Sequence, residues 1–240
     1  LHKQTILGPL WHIINPILTA LTLTLVFGRV ISLPTDGVPP ILFYMTGTVA
    51  WNYFTACFFK TSNALAGNAG LFGKVYFHRL IVPVASVFSS LISFAIQCGI
   101  LATMIVVFRL RGSAVSPTAW IALFPILVAL LAGYGLVFGL ISSALTTRYR
   151  DLSQLLGFAI QLLMFATPII YPASFVKPEY RWIIYANPLA GVIETFRFSL
   201  LGRGSPRPFA LMGATAFLAV LLTIGLSMFS HAERTFLDTV

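Results

Sequence analysis

The chain has 240 residues, 58% of them hydrophobic and 9% charged, with a mean hydropathy of +0.92, whereas ordinary soluble domains carry roughly 25% charged residues. That composition excludes a soluble globular domain and makes this a membrane protein. The net charge of +9 does not point to nucleic acid, because the Lys and Arg residues are scattered at the ends of apolar runs rather than gathered in a stripe, and anionic lipid headgroups explain them more simply.

Used as punctuation, the charges leave uncharged runs at 4–28, 37–59, 80–108, 112–147, 152–176 and 208–230. Each exceeds the ~20 residues a helix needs to cross ~30 Å of hydrocarbon. The pattern predicts an all-α membrane protein in one transmembrane domain, 1–240, with six spans at about 8–30, 38–59, 81–108, 117–146, 152–171 and 208–230. Six spans put both termini on one side.

The first run is too long for a secretory signal and contains Pro16, so it is read as a span. The sequence opens at Leu1 rather than Met, and we expect it to begin inside a longer protein. In the second span Tyr44, Trp51, Phe54 and Phe58 recur at spacings of seven, three and four, which places them on one helix face. Such a stripe serves core or lipid packing, or a functional surface.

Between the second and third spans, residues 68–79 read as a short helix. Asn68 is a suitable N-cap, and Leu71, Phe72, Val75, Tyr76 and Leu80 follow three-and-four spacing, with Lys74 and His78 on another side. Arg79 intrudes on the apolar arc, so a helix lying flat on lipid fits less well than a surface with contacts on two sides. In the fourth span Gly135, Gly139 and Ser143 recur every fourth residue and predict close helix approach. Arg148 and Arg150 sit at a helix C-terminus, and Asp151 with Gln154 has capping-box spacing. Caps and snorkelling anchors account for this loop, as does a docking surface. Pro16, Pro83, Pro125 and Pro168 are predicted bends.

Between the fifth and sixth spans, Asn187-Pro188 is a helix-start signal. Leu189, Val192, Ile193, Phe196 and Leu200 form an apolar face, Glu194 and Arg197 have the spacing of an ion pair, and Gly202 ends the pattern. The chain has no GxxxxGK[ST] phosphate loop, no Ser-His-Asp or paired-carboxylate set and no metal-ligand cluster. Cys57 and Cys98 lack CxxC spacing and read as packing residues.

Three segments in order, KQTILGPLWHIINPIL at 3–18, NAGLFGKVYFHRLIVP at 68–83 and RYRDL followed by TPIIYP at 167–172, resemble the permease subunits of type-2 ABC exporters. The branch that exports O-antigen, capsule and teichoic acid is the most similar. His78 departs from the pattern, standing where that family commonly has proline.

The resemblance implies that residues 68–79 form a cytoplasmic coupling helix. Asn68, Leu71, Phe72, Lys74, Val75, Tyr76, His78 and Arg79, with Arg148, Arg150 and Asp151, would then dock on a separate ATPase. It also implies a re-entrant or interfacial helix pair at about 173–202 between spans five and six, with Asn187, Pro188, Glu194 and Arg197 at an outer gate. Charge alone leaves the orientation open, because Lys and Arg divide seven against eight between the two sides; the resemblance puts the termini in the cytoplasm.

The implied assembly is a homodimer in the bacterial inner membrane with two copies of a cytoplasmic nucleotide-binding ATPase. This chain would carry no cofactor, ATP and Mg residing on that partner. The expected cargo is an undecaprenyl-pyrophosphate-linked polysaccharide such as O-antigen. Tyr44, Trp51, Phe54 and Phe58 would line its route, and Lys3 and Arg79 would meet the pyrophosphate. Export of teichoic acid, capsule, or small lipids and drugs is the alternative, with a channel or secondary transporter further behind.

Overall fold

The computed structural model describes residues 11–67, 80–148, 151–204 and 206–237. Helix α1 (Trp11–Leu23) contains Pro16 and continues into a π-helical turn, Thr24–Val30. Helix α2 (Pro40–Ser62) and the one-turn α3 (Ala64–Gly67) follow, then α4 (Ile81–Leu110). A 3-10 turn, Ala119–Leu123, leads into α5 (Phe124–Arg148), and α6 spans Leu152–Ala166. Beyond two further 3-10 turns, Ala173–Phe175 and Pro178–Tyr180, come α7 (Arg181–Ala186), α8 (Pro188–Leu201) and α9 (Pro208–Leu237). Proline opens α2, α8 and α9, where its missing N–H costs nothing.

Among the described residues, four stretches are long and apolar enough to cross a membrane: Ile13–Val30, Ile81–Leu110, Ala119–Thr146 and Pro208–His231. They correspond to the first, third, fourth and sixth predicted spans. Large apolar side chains on their outer faces, such as Phe88, Ile92, Phe209 and Met212, are exposed, as lipid-facing positions should be.

The other two predicted spans depart from a simple crossing helix, for different reasons. Helix α2 is long enough, at 23 residues, but less apolar, because it is the axis of the fold. Helices α1, α4, α5 and α8 all pack against it. Its Thr46 and Thr48 are buried and donate to the carbonyls of Leu42 (2.7 Å) and Tyr44 (2.9 Å) within the same helix. Helix α6 has 15 residues, short of the ~20 that span hydrocarbon. It stops at Ala166 because Thr167 turns extended ahead of Pro168.

The glycine spacing of the fourth span acts as expected. A Cβ on Gly135 would lie 2.5 Å from the Cβ of Cys57 and 2.7 Å from the carbonyl oxygen of Phe54; one on Gly139 would lie 2.5 Å from the Cβ of Thr61. The backbones of α2 and α5 therefore meet directly, with Cys57 packed between them. Of the predicted bends, Pro16 lies inside α1, Pro83 and Pro125 fall in the first turns of α4 and α5, and Pro168 follows the end of α6.

Candidate functional site

Helix α8 was expected to be amphipathic, with one polar side. Instead it is buried on nearly every side, Thr195, Arg197 and Ser199 included, because α2, α5 and α9 surround it. Its ends form as predicted. Asn187 Oδ1 accepts from the N–H of Leu189 at 3.1 Å, Pro188 takes the first position, and Gly202 closes the helix in left-handed conformation (φ 68°). Asn187 also donates through Nδ2 to Thr167 Oγ1 at 2.8 Å, which ties the start of α8 to the break after α6.

Arg197, only 5% exposed, reaches that break too. Its Nη2 donates to the carbonyl oxygens of Pro168 (2.8 Å) and Ile169 (3.4 Å), and its guanidinium carbon lies 3.8 Å from the Phe43 ring centroid. Gly47 on α2 leaves the space: a Cβ there would sit 3.0 Å from Nη2. Among the described residues the Nε has no hydrogen-bond partner. Burial lowers the Arg197 pKa to about 10, against the opposing pull of Glu194 and Asp36, so it is charged at neutral pH.

The i, i+3 pairing of Glu194 with Arg197 gives way to separate partners. Glu194 accepts from the Tyr185 hydroxyl at 2.7 Å and from the N–H of Ala173 at 3.1 Å. Burial raises its pKa, while the Tyr185 hydrogen bond and the Arg197 charge oppose the rise. Further out, Ser174 Oγ donates to Asp36 at 2.6 Å, Arg181 donates to the carbonyls of Val176 and Ser174, and Arg207 lies over the Tyr185 ring at 4.6 Å. The irregular chain 167–176 is thus held from α8, α7 and the loop before α2.

The aromatic stripe of α2 is sealed. Tyr44, Trp51, Phe54 and Phe58 are each 0–5% exposed, and Trp51 and Phe54 pack ring against ring at 5.1 Å, with Phe138 of α5 beyond. None of the four faces open space: α5 packs along Phe54 and Phe58, and Tyr44 lies against the π-helical turn at Gly28. The side of α2 that opens is another one. Asn52, Thr55 and Phe59 face Trp11 and Asn15 of α1 and Gln97 of α4 across a hollow of about 250 Å³. Asn52 Nδ2 donates to Gln97 Oε1 at 3.4 Å.

Lys3, Asn68, Leu71, Phe72, Lys74, Val75, Tyr76, His78, Arg79 and Arg150, with the side chain of Arg148, lie outside the described residues. Asp151 is described: it is exposed, helical (φ −63°, ψ −26°) and makes no side-chain capping bond, so the expected capping box with Gln154 does not form. Sequence reading missed Asp36, Tyr185, Asn52 and Gln97; the only signal for them was a lone polar group within or beside an apolar run.

Residues 2–201 match the family described as ABC-2 type transporter. The chain belongs to that family. It is 27% identical over 242 residues to the O-antigen export system permease protein RfbA of Myxococcus xanthus, covering 100% of this chain and 90% of that protein. A Klebsiella pneumoniae protein of the same name is 25% identical over 238 residues, 99% of this chain and 89% of that one. The polysialic acid transport protein KpsM of Escherichia coli is 22% identical over 237 residues, 97% and 89%. A helical bundle with four membrane-length apolar helices among its described residues is consistent with an ABC-2 membrane subunit.

Proposed function

We propose that this chain is the channel-forming subunit of an ATP-driven exporter that moves a lipid-linked polysaccharide, such as undecaprenyl-pyrophosphate-linked O-antigen, across the bacterial inner membrane. The observation that carries the reading is the end-to-end match to permeases named for O-antigen export. In the working assembly two copies stand side by side, two-fold related, over two copies of a cytoplasmic ATPase that binds ATP and Mg. Helix α2 and the α6 segment complete six spans, with the termini in the cytoplasm.

Residues 68–79, with Arg148, Arg150 and Asp151, dock on the ATPase. Lys3 and Arg79 meet the lipid pyrophosphate, an anion that calls for cationic partners. The α7–α8 pair, with Asn187, Pro188, Glu194 and Arg197, forms the outer gate. The buried Arg197 supports a gate that moves as one piece with residues 167–169, since both are tied together.

Deleting the gene in its native host tests the reading. Surface polysaccharide should be lost, and the tagged chain should retain an ATPase at one copy per copy through mild-detergent purification. Phe72→Glu with Tyr76→Glu should abolish export while leaving membrane insertion intact. Undiminished surface glycan in the deletion strain would overturn the export function.

A further inference from the structure

The hollow between α1, α2 and α4 has no assigned role. It measures about 250 Å³, below the roughly 300–1,000 Å³ of sites for drug-sized ligands and on the scale of one small polar unit. Its lining is unusual for the middle of a membrane protein: three carboxamides, Asn15, Asn52 and Gln97, and the hydroxyl of Thr55, flanked by Trp11 and Phe59. Gln97 sits near the midpoint of the 30-residue α4, and Asn15 falls within the candidate span Ile13–Val30. Gln97 therefore lies at hydrocarbon depth, with Asn15 nearer the end of its span.

Carboxamides there are costly unless paired. Asn52 and Gln97 meet each other over a long 3.4 Å, which leaves most of their donors and acceptors unmet among the described residues. Thr55 spends its proton on the carbonyls of Trp51 and Asn52 but keeps its acceptor capacity. The side chain of Asn15 is exposed and makes no hydrogen bond among the described residues. Something polar completes the site.

Among the described residues none that lines the hollow is charged, which favours a neutral complement over phosphate. Carboxamides both donate and accept, as does a hydroxyl-bearing ring. Trp11, 51% exposed, and Phe59, 43% exposed, offer flat apolar faces beside them. Water alone would satisfy the amides but would have no use for two bare aromatic faces. A neutral sugar residue uses both.

We infer that this amide-lined hollow is a saccharide contact of the transport route, which takes one neutral sugar unit of the passing glycan. The inference rests on the proposed export function. It moves the sugar-contacting surface from the sealed aromatic stripe of α2 to the helix side carrying Asn52, Thr55 and Phe59. The contact is weak by construction, neutral hydrogen bonds and ring faces only, which suits a polymer that must move on.

The test is a photo-crosslinking amino acid placed at Ala56, which lines the hollow, in the full chain expressed in its glycan-producing host. Phe209, 85% exposed at the start of α9, is the control position. Illumination should give a glycan adduct of this chain from position 56 and none from 209. Asn15→Leu, which removes no hydrogen bond among the described residues, should slow export about twofold to tenfold, the effect of one hydrogen bond, with the amount of chain in the membrane unchanged.

An adduct to a second copy of this chain would make the hollow a subunit interface and overturn the proposal, as would adducts to lipid alone. Glycan adducts from other positions but none from 56, with export at the parental rate in Asn15→Leu, would likewise overturn it while leaving the export function standing. Failure of that broader function shows separately, as surface glycan that persists when the gene is deleted.

Discussion

Arg197 of α8 stacks its guanidinium 3.8 Å from the centre of the Phe43 ring of α2 while donating to the carbonyl of Pro168. One side chain thereby joins three segments distant in sequence, and its charge is held by carbonyl dipoles and a ring face rather than by a direct carboxylate partner. Replacing it with Ala leaves two carbonyls unmet in a void. Arg197→Ala should lower stability by about 1.5–3 kcal/mol, the worth of hydrogen bonds to a charged group. Arg197→Lys should recover only part, since an ammonium lacks the planar fork and the stacking surface. Thermal unfolding in detergent measures both.

Glu194 gives the molecule a pH dependence of definite sign. Its folded-state pKa is raised, chiefly by burial, so within that window the folded protein holds a proton that the unfolded chain releases. Stability from this group is complete below the ordinary carboxylate pKa of about 4.3 and is lost as pH rises through the raised value. Glu194→Gln cannot ionise. The stability of the parent relative to Glu194→Gln should therefore fall between acid and neutral pH, read from paired unfolding curves across that range.

Two buried tyrosines should respond oppositely to loss of their hydroxyls. Tyr134 on α5 donates to the carbonyl of Ala214 on α9 at 2.5 Å, and Tyr134→Phe should cost about 0.5–1.5 kcal/mol. The Tyr44 hydroxyl is buried without a hydrogen-bond partner among the described residues. Tyr44→Phe removes an unmet polar atom and should leave stability equal or higher. The two unfolding midpoints should move apart.

Glycines in α5 and α4 make a similar pair. Gly135→Ala would drive a methyl to 2.7 Å from the backbone oxygen of Phe54 and should cost about 1–3 kcal/mol through overpacking. A methyl on Gly99, mid-helix in α4, would meet nothing within 4 Å. Gly99→Ala should stabilise by about 0.5–1 kcal/mol, because alanine surrenders less backbone freedom. Thermal unfolding of the two variants beside the parent checks the contrast.

Where a signal was local, it was legible in the sequence. Charge punctuation located four membrane-length helices, the four-residue spacing of Gly135 and Gly139 announced close helix approach, and Asn187-Pro188 with Gly202 marked both ends of α8. What escaped was partner choice. Glu194 and Arg197 stand three apart, yet local spacing cannot reveal that carbonyls at 168 and 169 will arrive in three dimensions and draw the cation away. The stripe Tyr44, Trp51, Phe54 and Phe58 shares one side of a helix; whether that side meets space or protein was decided by distant elements, α5 at Phe54 and Phe58 among them. Asn52 and Gln97 are 45 residues apart, so neither alone announced a shared hollow.

The enclosure of α2 also sets an order for biogenesis. Leaving the ribosome, α2 precedes α4, α5 and α8, the helices that will wrap it, and its threonines and Tyr44 would first confront lipid. A segment of that polarity enters bare lipid poorly, though back-bonded hydroxyls ease the entry. Its final seating must wait for helices made later, so the translocation machinery has to shelter an early, half-committed segment until α8 emerges.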